Sequence, residues 1–220
     1  MTFRNFLALT SCALVALNMQ AQSTTETPLR TLIGGQDDLH HGGWGAPTTH
    51  YTRVMDKDAL LVGLRGGWLI NHRVTIGLAG QGLVTPIANP AYDAYLVEQG
   101  ELLQPKSTFY MGYGGLLIEP IIAYASPVHV SLPLIIGAGG CGYGYKSRYT
   151  EQVHEFDYRE DMQAFFVVEP GVELEMNLIP LVRLGVGASY RYTTDIDLPE
   201  TSVDALRGFN AGVSIKIGRF

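Results

Sequence analysis

The chain has 220 residues, of which 46% are apolar and 16% charged, and its formal net charge is −6. This length suits one domain with a sizeable core or one small barrel. The charged fraction is below the roughly 25% of a typical soluble domain, which indicates flanks that meet little water. The acidic balance offers no basic surface for nucleic acid.

The first residues predict an export signal. A short region with Arg4 precedes an apolar run over 6–17, and small or polar residues end near Ala21. We therefore expect a signal peptide over 1–21. The stretch LTSC also resembles the box before a lipid-modified cysteine, so processing at Cys12 is an alternative.

The next residues, 22–46, are interpreted as a flexible N-terminal segment, and the barrel is expected over 47–220. His40 and His41 follow two aspartates, but adjacent residues in a tail rarely face one ion, so a solvated linker is favoured over a metal site. Once the signal is removed Cys141 has no cysteine partner, which excludes an intramolecular disulfide.

From about residue 47, apolar residues alternate with polar or small ones, and this period of two predicts β-strands. The eight predicted strands are 48–55, 59–70, 73–84, 107–124, 128–145, 162–176, 181–194 and 207–220. Short turns at 71–72, 125–127 and 177–180 alternate with long polar loops at 85–106, 146–161 and 195–206. This asymmetry is typical of bacterial outer-membrane barrels.

The stretch LVRLGVGASYRYTT (181–194) indicates which face of each strand points outward. One face is apolar, while the other is mostly glycine with Arg183 and Arg191 at its ends. Arg or Lys at mid-bilayer would cost about 2–4 kcal/mol, so the charged face cannot contact lipid. An eight-stranded interior is only just wide enough for side chains, which explains the glycines. We expect a lumen charge network of four bases and four acids that neutralise each other by pairing: Arg65, Glu119, Glu169, Glu173, Glu175, Arg183, Arg191 and Lys216.

Aromatic residues near the strand ends predict girdles at the two membrane interfaces. The loop-side set is Phe109, Tyr110, Tyr143, Tyr145, Phe165, Tyr190, Tyr192 and Phe209, and the turn-side set is Trp68 and Tyr124. Prolines within strands predict local bulges at Pro120, Pro133 and Pro170. Phe220 is one residue out of phase with the final strand, which predicts a bulge near Gly218.

Four stretches carry a family resemblance: RGGWLINH (65–72), EPGVELEMN (169–177), GVGASYRY (185–192) and the final KIGRF. With them, residues 43–220 resemble the small eight-stranded outer-membrane β-barrels of Gram-negative bacteria, the class of the outer-membrane protein A and X barrels. The resemblance implies an all-β, antiparallel up-and-down transmembrane barrel in the cell outer membrane. It also implies contact with outer-membrane lipid and the barrel-assembly machinery, and it transfers no catalytic residue.

The function expected from these features is a structural or surface-interaction role for a monomer with a filled lumen and no open pore. Surface partners would bind the three long loops, and we expect no catalytic residue, cofactor or metal. One alternative is a lipid-modifying enzyme at the barrel rim, for which His154, Glu151 and Ser147 share a loop. Another is a soluble periplasmic ligand-binding barrel, because GGWG at 42–45 echoes the Gly-x-Trp of lipocalins.

Overall fold

The computed structural model describes residues 40–99, 106–146 and 158–220. Its elements are β1 (His41–Val54), β2 (Lys57–Ile70), β3 (Val74–Leu83), α1 (Pro90–Glu98), β4 (Thr108–Ile122), β5 (Val128–Ser131), β6 (Leu134–Lys146), β7 (Tyr158–Ile179), β8 (Val182–Thr193) and β9 (Gly208–Arg219). Within these ranges, no helix has the length and apolar content needed to cross a membrane.

The strands form one closed antiparallel ring. Each consecutive pair is hydrogen-bonded, apart from β5 and β6, and β1 also pairs with β9, which closes the sheet. β5 and β6 both lie between β4 and β7, so they are two parts of one wall strand interrupted at Leu132 and Pro133. The ring therefore has eight wall positions, and the predicted eight-stranded up-and-down barrel is confirmed.

The in-strand prolines interrupt the ladder without shifting its register. Ile118 pairs with Leu134 before the interruption and Ile121 with Ser131 after it, so no residue is inserted. The predicted bulges at the prolines are wrong, because a proline removes only its own donor. Neighbouring carbonyls remain in use: Pro133 O accepts from the Gly171 N–H at 2.8 Å.

The two faces of the wall differ sharply. Apolar side chains point outward, as in Leu64, which is 70% exposed, and Val186, which is 47% exposed. Charged side chains point inward, and Arg183 is only 5% exposed. This arrangement is the reverse of a soluble barrel, which would bury its apolar face.

The barrel begins earlier than predicted, since β1 starts at His41 rather than near residue 48. Residues 41–46, interpreted as part of a flexible segment and as a lipocalin-like motif, pair with β2 from Ile70 to Arg65. The glycines on the outward positions hide the alternation there, while Trp44 and Ala46 supply the buried positions.

The loop after β3 contains a helix that the sequence reading missed. α1 begins at Pro90, and the Asn89 side chain caps it by accepting a hydrogen bond from the Ala91 N–H at 3.2 Å. An asparagine cap followed by proline at the first helical position is a regular start signal. The helix has only nine residues, which is too short for apolar residues to repeat with a clear helical period.

The predicted loop-side girdle is wrong for three of its seven described members, and Tyr190 is among those that face outward. Tyr110, Tyr192 and Phe209 face outward, but Phe109 is 1% exposed, and Tyr143 and Phe165 are also buried inside the barrel. The reason is the period of two, which forces Phe109 and Tyr110 to opposite faces. The side chain of Tyr145 lies outside the described residues.

The predicted bulge near Gly218 is also wrong. The β1–β9 register is the same on both sides of this residue, with Ile217 opposite Gly45 and Arg219 opposite Gly43. Phe220 therefore stays in phase with the inward face. Its ring packs in the lumen, with its centroid 3.8 Å from the Arg183 guanidinium carbon.

Candidate functional site: the barrel interior

The centre of the interior is a buried lysine shared by two glutamates. Lys216 of β9 donates to Glu175 of β7 at 2.6 Å and contacts Glu119 of β4. All three side chains are essentially inaccessible to solvent. The charges come from three strands around the ring, so closure of the barrel is what brings them together.

Two branches extend from this centre. Arg65 forms an ion pair with Glu173 and lies 3.8 Å from Glu119, and its guanidinium donates to Ser214 at 3.0 Å. On the other side, Glu175 lies 3.2 Å from His129 and 3.6 Å from Arg183. We call this set the ion network: Arg65, Glu119, His129, Glu173, Glu175, Arg183, Ser214 and Lys216.

Aromatic rings cover the cations of the ion network. The Lys216 ammonium lies 4.3 Å from the Trp44 ring centroid, and Arg65 lies 5.8 Å from it. The Trp44 indole N–H donates to the Thr75 hydroxyl at 3.0 Å, which fixes the ring. Cations over an aromatic face gain electrostatic stabilisation that replaces lost hydration. The sequence reading missed Trp44 because it placed residues 42–46 outside the barrel.

The other predicted acid, Glu169, is bound by neutral donors. It accepts from Tyr113 at 2.5 Å, from Ser189 at 2.6 Å and from Asn210 at 2.9 Å. Gln81 donates to the same carboxylate at 3.1 Å. Among the described side chains, no Lys or Arg nitrogen lies within 4.0 Å of it.

Arg191 is connected to Glu169 through an amide. Its guanidinium donates to Asn210 Oδ1 at 3.1 Å, to Thr52 at 3.4 Å and to the backbone carbonyl of Leu206 at 2.5 Å. We call Gln81, Tyr113, Glu169, Ser189, Arg191 and Asn210 the Glu169 cluster. Direct ion pairs thus join six of the eight predicted charges, and Asn210 bridges the remaining two.

A third region, the loop-side core, fills the end of the lumen next to the long loops. Tyr92 and Leu96 of α1 enter this end from one loop, and Ile196, Leu198 and Leu206 enter it from another. The rings of Tyr92 and Tyr143 stack with centroids 3.8 Å apart. Side chains from two loops thereby cover the inward-facing residues of the wall.

A polar contact fastens the two loops together above this core. The Asn89 amide donates to the Tyr143 hydroxyl at 2.8 Å and to the Glu200 carbonyl at 2.9 Å. The same hydroxyl lies 2.7 Å from the Thr201 hydroxyl. Because the first loop, the wall and the last loop meet at one hydroxyl group, their positions are coupled.

The remaining candidate residues are scattered. His154, Glu151 and Ser147 lie outside the described residues. His41 is part of β1, with its ring 5.2 Å from Trp68, and is not in a solvated linker. In the part of the chain that the structure describes, no group of three or more His, Cys, Asp or Glu could hold a metal ion.

The comparisons with known proteins support the fold. No family model matches the chain, and no match was found among curated proteins. The structure is similar to Neisserial surface protein A, with a TM-score of 0.51 and 11% identity over 80% of this chain and 96% of that one. It is similar to a major outer membrane protein from Thermus thermophilus, with a TM-score of 0.51 and 7% identity over 80% and 98%. The chain thus has the fold of the small outer-membrane β-barrels.

Proposed function

We propose that this chain is a small β-barrel protein of the bacterial outer membrane, with a side-chain-filled lumen, no open pore, and a structural or surface-interaction role. The observation that carries this proposal is the distribution of side chains across the wall. Apolar residues cover the outside, whereas Arg65, Lys216 and their partners lie inside. Only a lipid environment makes this distribution favourable.

The outward face supports membrane insertion. Leu64 and Leu78 are each 70% exposed, and the large apolar residues that share this face come from strands all around the ring. A contiguous exposed apolar surface beyond a few hundred Å² is rare on soluble proteins. A closed barrel satisfies its backbone hydrogen bonds internally and leaves no edge, as a lipid environment requires.

The interior supports the absence of a pore. The loop-side core occupies one end of the lumen, and the ion network links strands across it. Moving an ion along this path would require breaking buried pairs such as Lys216 with Glu175. Buried pairs of this kind are costly to break.

The exposed loops support a surface role for the protein. Exposed acids lie on the last loop, including Asp195, Asp197 and Glu200, and the neighbouring α1 carries Glu98. Among the described residues, the polar groups of the lumen bind one another, and the side chains of the loop-side core cover them. We therefore propose a non-enzymatic protein whose partners are outer-membrane lipid, the barrel-assembly machinery and surface molecules at the loops.

Two experiments test the parts of this proposal separately. Membrane fractionation with a heat-modifiability gel should place the chain in the detergent-extracted outer-membrane fraction, with a mobility shift on boiling. Solubility without detergent and no shift would contradict the membrane assignment. Planar-bilayer recordings of the refolded chain should show no large stable conductance. Such a conductance would refute the filled lumen but not the barrel.

A further inference from the structure

A small pocket lies between the Glu169 cluster and the ion network, in the middle of the lumen. Its volume is about 40 Å³. A cavity needs roughly 10–15 Å³ to hold one water molecule, so the pocket has room for about three. Its polar lining comes from five strands: His50, Arg65, Gln81, Glu169, Glu173 and Ser189.

Three buried polar atoms of this lining have no hydrogen-bond partner among the described residues. They are His50 Nδ1, Arg65 Nε and Gln81 Oε1, from β1, β2 and β3. Arg65 and Gln81 are each only 9% exposed. A buried polar atom that stays unpaired lowers stability, because it has lost its hydrogen bonds to water. Because all three atoms line one pocket, they point to a ligand there that forms the missing hydrogen bonds.

We propose that this pocket is a binding site for a cluster of two or three water molecules. The Arg65 Nε–H needs an acceptor and Gln81 Oε1 needs a donor, and water supplies both. The Gln81 amide nitrogen already donates to Glu169, so its oxygen is the free end of the amide. An apolar ligand would leave all three atoms unpaired, and the Arg65 guanidinium in the lining disfavours a metal cation.

These waters would join the two polar parts of the interior. Gln81 belongs to the Glu169 cluster, and Arg65 belongs to the ion network. A water cluster bonded to both makes the charged interior one continuous hydrogen-bonded unit from β1 to β9. This inference concerns the interior alone and does not depend on the surface role proposed above.

The test uses the full chain refolded in detergent micelles, with water itself as the probe. Water-to-protein nuclear Overhauser spectra should show cross-peaks at the Arg65 Nε–H and at the Gln81 side-chain amide, with the sign of long-lived water. The Val203 amide in the exposed last loop serves as the internal reference. Detection at Val203 without any signal at Arg65 would overturn the proposal.

Two substitutions locate the water. Gln81→Leu should abolish the Arg65 cross-peak, because it replaces the amide that holds the water with an apolar side chain. Gln163→Leu is the matched control, since Gln163 binds the Asp197 N–H at the loop end and should leave the cross-peak unchanged. If Gln81→Leu does not fold, Ala79→Val narrows the same pocket. An Arg65 cross-peak that survives either pocket variant would refute the site.

Discussion

Replacing Lys216 by methionine tests whether the interior charges depend on one another. Methionine keeps most of the side-chain volume and removes the ammonium between Glu119 and Glu175. Among the described side chains, Glu119 would then keep Arg65, at 3.8 Å, and Glu175 would keep His129 and Arg183. Removing one partner of a buried pair typically costs about 3–5 kcal/mol, because the remaining charge stays buried. We expect a loss in this range.

An exposed ion pair provides the matched control. Arg53 lies 4.0 Å from Asp56 and 3.8 Å from Asp58 at the loop-side rim, and its side chain is 60% exposed. Pairs of this kind contribute about 0–1 kcal/mol. Arg53→Met changes the charge in the same way as Lys216→Met and should therefore have a much smaller effect.

The assay is urea unfolding of the refolded protein in liposomes, followed by tryptophan fluorescence. A Trp68→Phe background leaves Trp44, beside Lys216, as the reporting indole of the barrel. Adding Glu119→Gln to Lys216→Met restores interior neutrality and should recover part of the lost stability. Equal losses for Lys216→Met and Arg53→Met, or no recovery in the double variant, would refute the network argument.

Three further substitutions test the outer face, the packing and the loop-side core. Val186→Arg should lower the free energy of unfolding in liposomes by about 2–4 kcal/mol because it places a cation in lipid, whereas Val203→Arg in the exposed loop should change it by less than about 0.5 kcal/mol. Gly185→Ala should cost about 1–3 kcal/mol in the same assay through overpacking, since its Cβ would overlap the Glu173 carboxylate, while Gly45→Ala enters open space and should be neutral. Tyr143→Phe keeps the ring but removes the hydroxyl joining the loops, so hydrogen exchange in α1 and in 194–207 should accelerate, corresponding to about 1 kcal/mol. Equal losses of stability for Val186→Arg and Val203→Arg would contradict the first assignment, and equal losses for Gly185→Ala and Gly45→Ala the second. Unchanged hydrogen exchange in Tyr143→Phe would contradict the third.

The sequence predicts the barrel because two constraints act together. Alternation fixes which residues share a face, and the cost of placing Arg183 or Lys216 in lipid fixes which face is inside. The connection lengths then give the antiparallel order. Each of these constraints depends on the residues of one strand or on the length of one connection, and so a single sequence shows them.

The sequence does not predict which charges pair inside the lumen, because that pairing depends on the stagger of the strands. The sequence identifies Glu169 and Arg191 as inward charges, but it does not show which residues meet across the barrel. Asn210 comes between them because β9 closes against both β8 and β1. The predicted aromatic girdle is wrong in part for a simpler reason: alternation along the strand turns Phe109 and Phe165 inward even though both lie near strand ends.

The interior charges also differ in what holds them, and this difference predicts separable defects. The ion pairs of Lys216 involve only wall strands, whereas Arg191 donates to the backbone carbonyl of Leu206 in the last loop. Arg191→Met should therefore accelerate hydrogen exchange across 194–207, because it removes the anchor of that loop. Lys216→Met should lower the free energy of global unfolding of the barrel. The free energy of local opening of this loop, which is smaller, should stay unchanged. The same exchange pattern in both variants would show that the loop and the wall do not respond independently, contrary to the contacts of Arg191.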